Sequence, residues 1–172
     1  MLARTVTILK WTLYSAAVVL CVMFQGAILQ RMVFWGVIPF LYPLLAAIPA
    51  TYEEPIPATV FSLAVGIFCD LLLPGSIPCL YTLIFPLVGL FASLLSQSVL
   101  PPGLVCSFLA GAMSFLLTDG FRGFVLWING RAAWQAAGFL MLREFCVTAP
   151  LIIPLSFLFR AVSRKARRML DA

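Results

Sequence analysis

From Trp11 to Leu29 the chain carries no charged residue, and further apolar runs follow between short Pro/Gly turns. A helix needs about 20 such residues, rising 1.5 Å each, to cross a hydrocarbon layer of about 30 Å. The spacing of the turns predicts six such helices, over 11–29, 33–52, 56–73, 79–99, 104–119 and 139–162. Of 172 residues, 63% are hydrophobic and 10% charged. A soluble domain carries about a quarter charged residues. The chain therefore reads as one transmembrane domain, an all-α bundle.

The runs differ in quality. The first follows Arg4 and Lys10, outlasts a signal-peptide core of about 7–15 residues, and is followed by Arg31. The second contains Pro39, Pro43 and Pro49, which remove backbone donors. It should be irregular and packed inward, because lipid cannot satisfy a broken helix. Glu53-Glu54-Pro55 suits a helix start, with acids at the positive end of the dipole and proline in the first turn. Pro101-Pro102-Gly103 makes a short turn. Residues 121–138 interrupt aromatics with Arg122, Asn129, Arg131 and Gln135. That mixture suits an interfacial helix, a re-entrant segment or a loop. Prolines Pro150 and Pro154 lie in the sixth run.

The most constrained stretch is Gly66 to Gly75, which sets Asp70 in an apolar run and ends it at Pro74-Gly75. An acid at the centre of a membrane helix costs roughly 2.5–3.5 kcal/mol, and less toward its ends. Gly66 and Asp70 are four apart and share a helix face, so a neighbour can approach the glycine and meet the acid. Interfacial water, a structural partner or a transported ion would each answer Asp70. Among basic partners Arg122, Arg131 and Arg143, the last is favoured because it lies in the first turns of a helix, beside Glu144. Asp119 closes the fifth run as Asp70 nearly closes the third. Small residues recur at helical spacing in Gly89, Ser93 and Ser96, and in Ser107, Gly111 and Ser114, which suits close helix packing in membranes.

Other chemistry has little to stand on. There is no histidine, the commonest general base. The five cysteines are scattered without a Cys-x-x-Cys pair, so no metal or redox motif is read. No phosphate loop and no nucleophile–base pair is present, and no cofactor is implied. The net charge of +5 comes mostly from the C-terminal cluster Arg160, Arg164, Lys165, Arg167 and Arg168 and does not argue for nucleic acid. With both termini cytoplasmic, that cluster joins Arg4 and Lys10 inside, against Arg31, Arg122, Arg131 and Arg143 outside. The positive-inside rule favours that orientation.

Gly66-x-x-x-Asp70-Leu71-Leu72, Pro74-Gly75-Ser76, Asp119 at the end of the fifth run, and Pro150/Pro154 leading into Arg164-Lys165-Ala166-Arg167-Arg168 resemble the bacterial rod shape-determining MreD family. The order of elements is similar over nearly the whole chain, although Ile77-Pro78-Cys79 stands where that family often has Leu-Gly. The resemblance implies a non-enzymatic scaffold of the cell-elongation machinery in the bacterial cytoplasmic membrane. It would regulate cell shape and peptidoglycan synthesis by holding an MreC-like membrane protein near a RodA-type glycosyltransferase and its transpeptidase, among membrane lipid. It also implies a fold like the S components of energy-coupling-factor transporters. A substrate-binding subunit of a vitamin-type transporter is therefore the competing expectation.

Overall fold

The structure, a computed structural model, describes residues 2–73, 77–130 and 134–170, with side chains from residue 7 onward except 134, 136 and 167–170. Gly75 and Arg131, and the side chains of Arg167 and Arg168, therefore lie outside the described residues. Apart from one isolated bridge between Phe34 and Val37, every regular element described is helical. The order is α1 (Leu2–Ala27), α2 (Tyr42–Ala50), α3 (Pro55–Leu72), α4 (Leu80–Ser98), α5 (Leu104–Ile128), α6 (Trp134–Thr148) and α7 (Ile152–Leu170). Five stretches are long and apolar enough to cross a membrane: Thr7–Arg31, Pro55–Leu72, Leu80–Ser98, Leu104–Ile128 and Ala137–Ala166. The last joins α6 to α7 through a 3-10 turn, Ala149–Leu151, where Pro150 interrupts the α-helical bonding.

The helix expected over 33–52 is not formed as such. A tight turn with Trp35 (φ 51) and Gly36 (φ 77) at its tip is followed by non-helical chain and then by α2, of nine residues. Nine residues rise only about 13 Å. Pro43 occupies the first turn of α2, where a missing N–H is harmless. All nine residues are buried, and α2 touches α1, α3, α4, α5 and α7. The shortest helix is thus the centre of the bundle.

The non-helical approach to α2 has its backbone satisfied from outside. Gln25 donates to the Pro39 carbonyl (2.8 Å) and accepts from Leu41 N–H (3.1 Å). Thr148 Oγ1 accepts from Phe40 N–H (3.0 Å). Beyond α2, Glu53 pairs with Lys10 of α1. The segment therefore connects the Gln25 level of the bundle to its Lys10 level.

Two further boundaries differ from expectation. α5 does not stop at Asp119 but continues to Ile128, and α6 begins at Trp134. Residues 121–128 thus continue α5 and residues 134–138 open α6, so the described part of this stretch is helical rather than a loop. Gly120 does not break α5 because a helix tolerates one glycine at a cost of about 1 kcal/mol. Likewise α7 runs on through the basic cluster to Leu170, with Ser163 and Ala166 buried and Arg164 and Lys165 exposed.

Rings fill the joints. Tyr14 of α1 contacts Phe61 of α3 and Phe159 of α7, at 5.8 and 6.1 Å between centroids. Phe145 of α6 meets Phe108 and Phe115 of α5 at 5.5 and 5.6 Å.

Candidate functional site

Gly66 and Asp70 face one neighbour, as their spacing requires. That neighbour is the start of α4. A Cβ on Gly66 would stand 2.6 Å from the Tyr81 carbonyl oxygen, so only glycine allows this approach. One turn on, Asp70 accepts from Tyr81 N–H (3.2 Å), Thr82 N–H (2.7 Å) and the Thr82 hydroxyl (2.6 Å). The first N–H groups of a helix lack internal partners and carry the positive end of its dipole. Asp70 therefore caps α4 from α3. The expected pairing with Arg143 is not formed: Arg143 is exposed on α6, its guanidinium 4.7 Å from the centre of the Phe139 ring. Helix N–H groups answer the acid at a shorter reach than a cation on a remote helix could.

The small-residue stripes are packing surfaces. A Cβ on Gly89 would collide with the Ser62 side chain and come within 2.9 Å of the Ala58 carbonyl oxygen. Gly111 receives Leu44 of α2 and Ile152 of α7, which would stand 2.8 and 3.3 Å from an added Cβ. Three of their serines tie chain segments together, while Ser96 donates to the Ser93 carbonyl within α4. Ser93 donates to the Glu53 carbonyl (2.7 Å), Ser114 to the Pro43 carbonyl (2.8 Å), and Ser107 shares a 3.1 Å hydrogen bond with Ser156 of α7. Ser62, on α3, donates to the Ala46 carbonyl (3.0 Å).

Asp119 and Glu144 behave differently, because they face space. Between α5 and α6 lies a cavity of about 450 Å³, lined by Leu116, Asp119, Gly120, Ala137, Gly138 and Met141 among others. A side lobe of about 170 Å³ adds Arg122, Leu140 and Glu144. The space comes from the small residues. A Cβ on Gly120 or Gly138 would meet nothing within 4 Å, whereas at Gly123 the helices close to 3.1 Å from the Ala137 Cβ. Asp119 Oδ2 is buried and has no hydrogen-bond partner. Arg122 is exposed beside it, and among the described residues the only ion pair within 4 Å is Lys10–Glu53. Two carboxylates and one guanidinium thus share a mostly apolar cavity without pairing.

Two other hollows flank the bundle. One, of about 320 Å³, is lined by Lys10, Tyr52, Glu53, Glu54 and Ser163, beside the basic stretch of α7. The other is an apolar groove of about 530 Å³ between the end of α1 and the α6–α7 joint, lined by Phe24, Ile28, Met32, Trp35, Val147 and Leu151 among others.

Sequence reasoning missed Gln25 and the wall formed by Gly120 and Gly138. The signal for the first is a lone amide in an apolar helix just before a proline-broken segment. The second shows as small residues on both legs of the α5–α6 hairpin. Comparison with known protein families, with curated proteins and with solved structures finds no match to this chain.

Proposed function

We propose that this chain is a non-enzymatic membrane scaffold of the cell-elongation machinery, of the kind the MreD-like pattern implies. In this reading the segment from Met32 to Tyr52 completes a sixth crossing, and both termini are cytoplasmic in a bacterial cytoplasmic membrane. Its partners are an MreC-like membrane protein and, beyond it, a RodA-type glycosyltransferase with its transpeptidase.

The observation that carries the reading is how the embedded polar side chains are used. Gln25, Ser62, Asp70, Ser93 and Ser114 all hydrogen-bond to backbone groups of another segment. Such bonds hold helices together rather than offering themselves to a substrate. The groove beside α1, by contrast, is lined almost wholly by apolar side chains, and in this reading it receives an apolar helix of the partner. Its rim residues Ile28, Met32 and Trp35 are exposed.

The test is capture in mild detergent of an MreC-like protein with the intact chain, and loss of that capture in Ile28→Trp, which fills the groove from an exposed position. The cavity holding Asp119 and Glu144 supports a second reading, a substrate-binding subunit of a vitamin-type transporter with an S-component-like fold. Co-purification of a vitamin-like molecule or an ATPase, with no MreC-like protein, would replace the first reading by the second.

A further inference from the structure

The cavity between α5 and α6 has three features that go together. It has open space, it holds a buried carboxyl oxygen without a donor, and one of its walls is exposed on the outer surface of the bundle. Space remains at Gly120 and Gly138. Asp119 Oδ2 lacks a donor although no solvent reaches it. Leu116, which lines the cavity, is 59% exposed on the outer surface of α5. A buried carboxylate oxygen without a donor is costly, and a charge-assisted hydrogen bond removes that cost. Glu144 lies in the adjoining lobe with Asp119, so the two acids favour a group that is both cationic and rich in N–H donors.

The same lobe also carries the opposite sign. Arg122 lies almost one turn beyond Asp119 on α5 and lines the same lobe. A guanidinium matches a phosphate or carboxylate. α5 has 25 residues, a rise of about 37 Å, against about 30 Å of hydrocarbon. Arg122 stands about 9 Å before its end, so its long side chain can reach headgroup depth. Tyr81, in the first turn of α4, is within electrostatic reach of both Asp119 and Arg122, which puts the site level with the start of that helix.

We propose that this cavity binds a zwitterion with a primary ammonium and a neighbouring anionic group, the chemistry of phosphoethanolamine. The ammonium is held by Asp119 and Glu144, and the anion by Arg122. An acylglycerol is bonded to the phosphate, and Leu140, which lines the lobe with Arg122, is exposed on the outer surface, so the acyl chains have a way out on the phosphate side and the headgroup of an aminophospholipid fits the site. A quaternary ammonium has no N–H to give Asp119, and a glycerol headgroup has no cation. The inference does not depend on the scaffold reading, since it concerns the isolated chain.

The experiment uses the full chain in detergent, titrated with phosphatidylethanolamine, phosphatidylcholine and phosphatidylglycerol of matched acyl chains. Native mass spectrometry reads occupancy, and thermal unfolding reads stabilisation. Phosphatidylethanolamine is expected to bind roughly tenfold more tightly than either other lipid. Asp119→Asn and Arg122→Gln should each reduce that preference. Gly138→Leu fills open space without striking backbone and should abolish it while the chain stays folded, which guards against a variant lost to misfolding. Free phosphoethanolamine is the arm for source: stabilisation by it alone, at comparable affinity, supports the site chemistry and assigns it to a soluble ligand. Equal binding of all three lipids, or a preference that survives Gly138→Leu, overturns the proposal. So does crosslinking of Gly138→Cys to a partner protein while no lipid preference is seen. A failed MreC-like capture leaves the lipid result unaffected, so the two proposals fail separately.

Discussion

Asp70 shows how one residue can answer two demands. It is an acid in an apolar helix, and it supplies the cap that the first turn of α4 lacks. A lost N-cap costs about 0.5–2 kcal/mol, and three hydrogen bonds to one carboxylate place Asp70→Ala toward the upper part of that range. Asp70→Asn keeps one acceptor oxygen and should lose less than half as much, as thermal unfolding in detergent would measure. Exchanging charge with Arg143 should restore nothing, because the two do not meet. Recovery in Asp70→Arg/Arg143→Asp would show that the cap is not the residue's role. Gln25 carries more. Gln25→Leu strands the Pro39 carbonyl and the Leu41 N–H together, at about 1–3 kcal/mol for each buried unsatisfied group. Ser114→Ala removes a single hydrogen bond, worth about 0.5–1.5 kcal/mol. The unfolding midpoints should fall in that order, and a Ser114 variant worse than the Gln25 variant would contradict the account.

Among the elements, α3 and α4 form the tightest pair, closed by Gly66 at one end and Gly89 at the other. Alanine raises helix propensity over glycine by up to about 1 kcal/mol. At Gly66 that gain is outweighed, because the added methyl strikes the Tyr81 carbonyl and overpacking costs about 1–3 kcal/mol. Gly26 of α1 has nothing within 4 Å. Gly66→Ala should therefore destabilise and Gly26→Ala should stabilise. Opposite signs for one chemical change, read by the same unfolding assay, separate packing from propensity. α2 makes the complementary point. Its fully buried nine residues would be unfit to stand alone in lipid, and its environment of five other helices is what lets broken backbone persist there.

For the whole molecule the test is orientation. Cys79 is exposed at the start of α4, whereas Cys21, Cys69 and Cys106 are buried and Cys146 is exposed at the apolar groove. If both termini are cytoplasmic, Cys79 lies on the outer side. A membrane-impermeant maleimide should then label intact spheroplasts, and Cys79→Ser should abolish the signal. Labelling only after the membrane is opened would invert the orientation. The basic face of α7 bears on the same question. Each cation near an anionic leaflet contributes roughly 1 kcal/mol. Replacing Arg164, Lys165, Arg167 and Arg168 with Gln should lower insertion fidelity more than partner capture. Unchanged Cys79 labelling in that variant would leave the basic stretch without a topological role.

The sequence by itself determined that the chain is a helical membrane bundle. Uncharged runs of spanning length admit few alternatives, and prolines and glycines punctuate them locally. It also determined that Gly66 and Asp70 act on a single neighbour, since helical periodicity is a property of the backbone. It showed that the proline-rich second run is irregular and turned inward. Only the tertiary structure decided which neighbour that was, because a carboxylate is satisfied by N–H groups as readily as by a cation, and proximity chooses between them. It alone placed α2 at the centre and carried α5 through Gly120 to Ile128, since one glycine costs a helix too little to end it. The cavity at Asp119 was likewise beyond the sequence. A void is set by what two helices fail to fill together, and Gly120 and Gly138 lie on different ones.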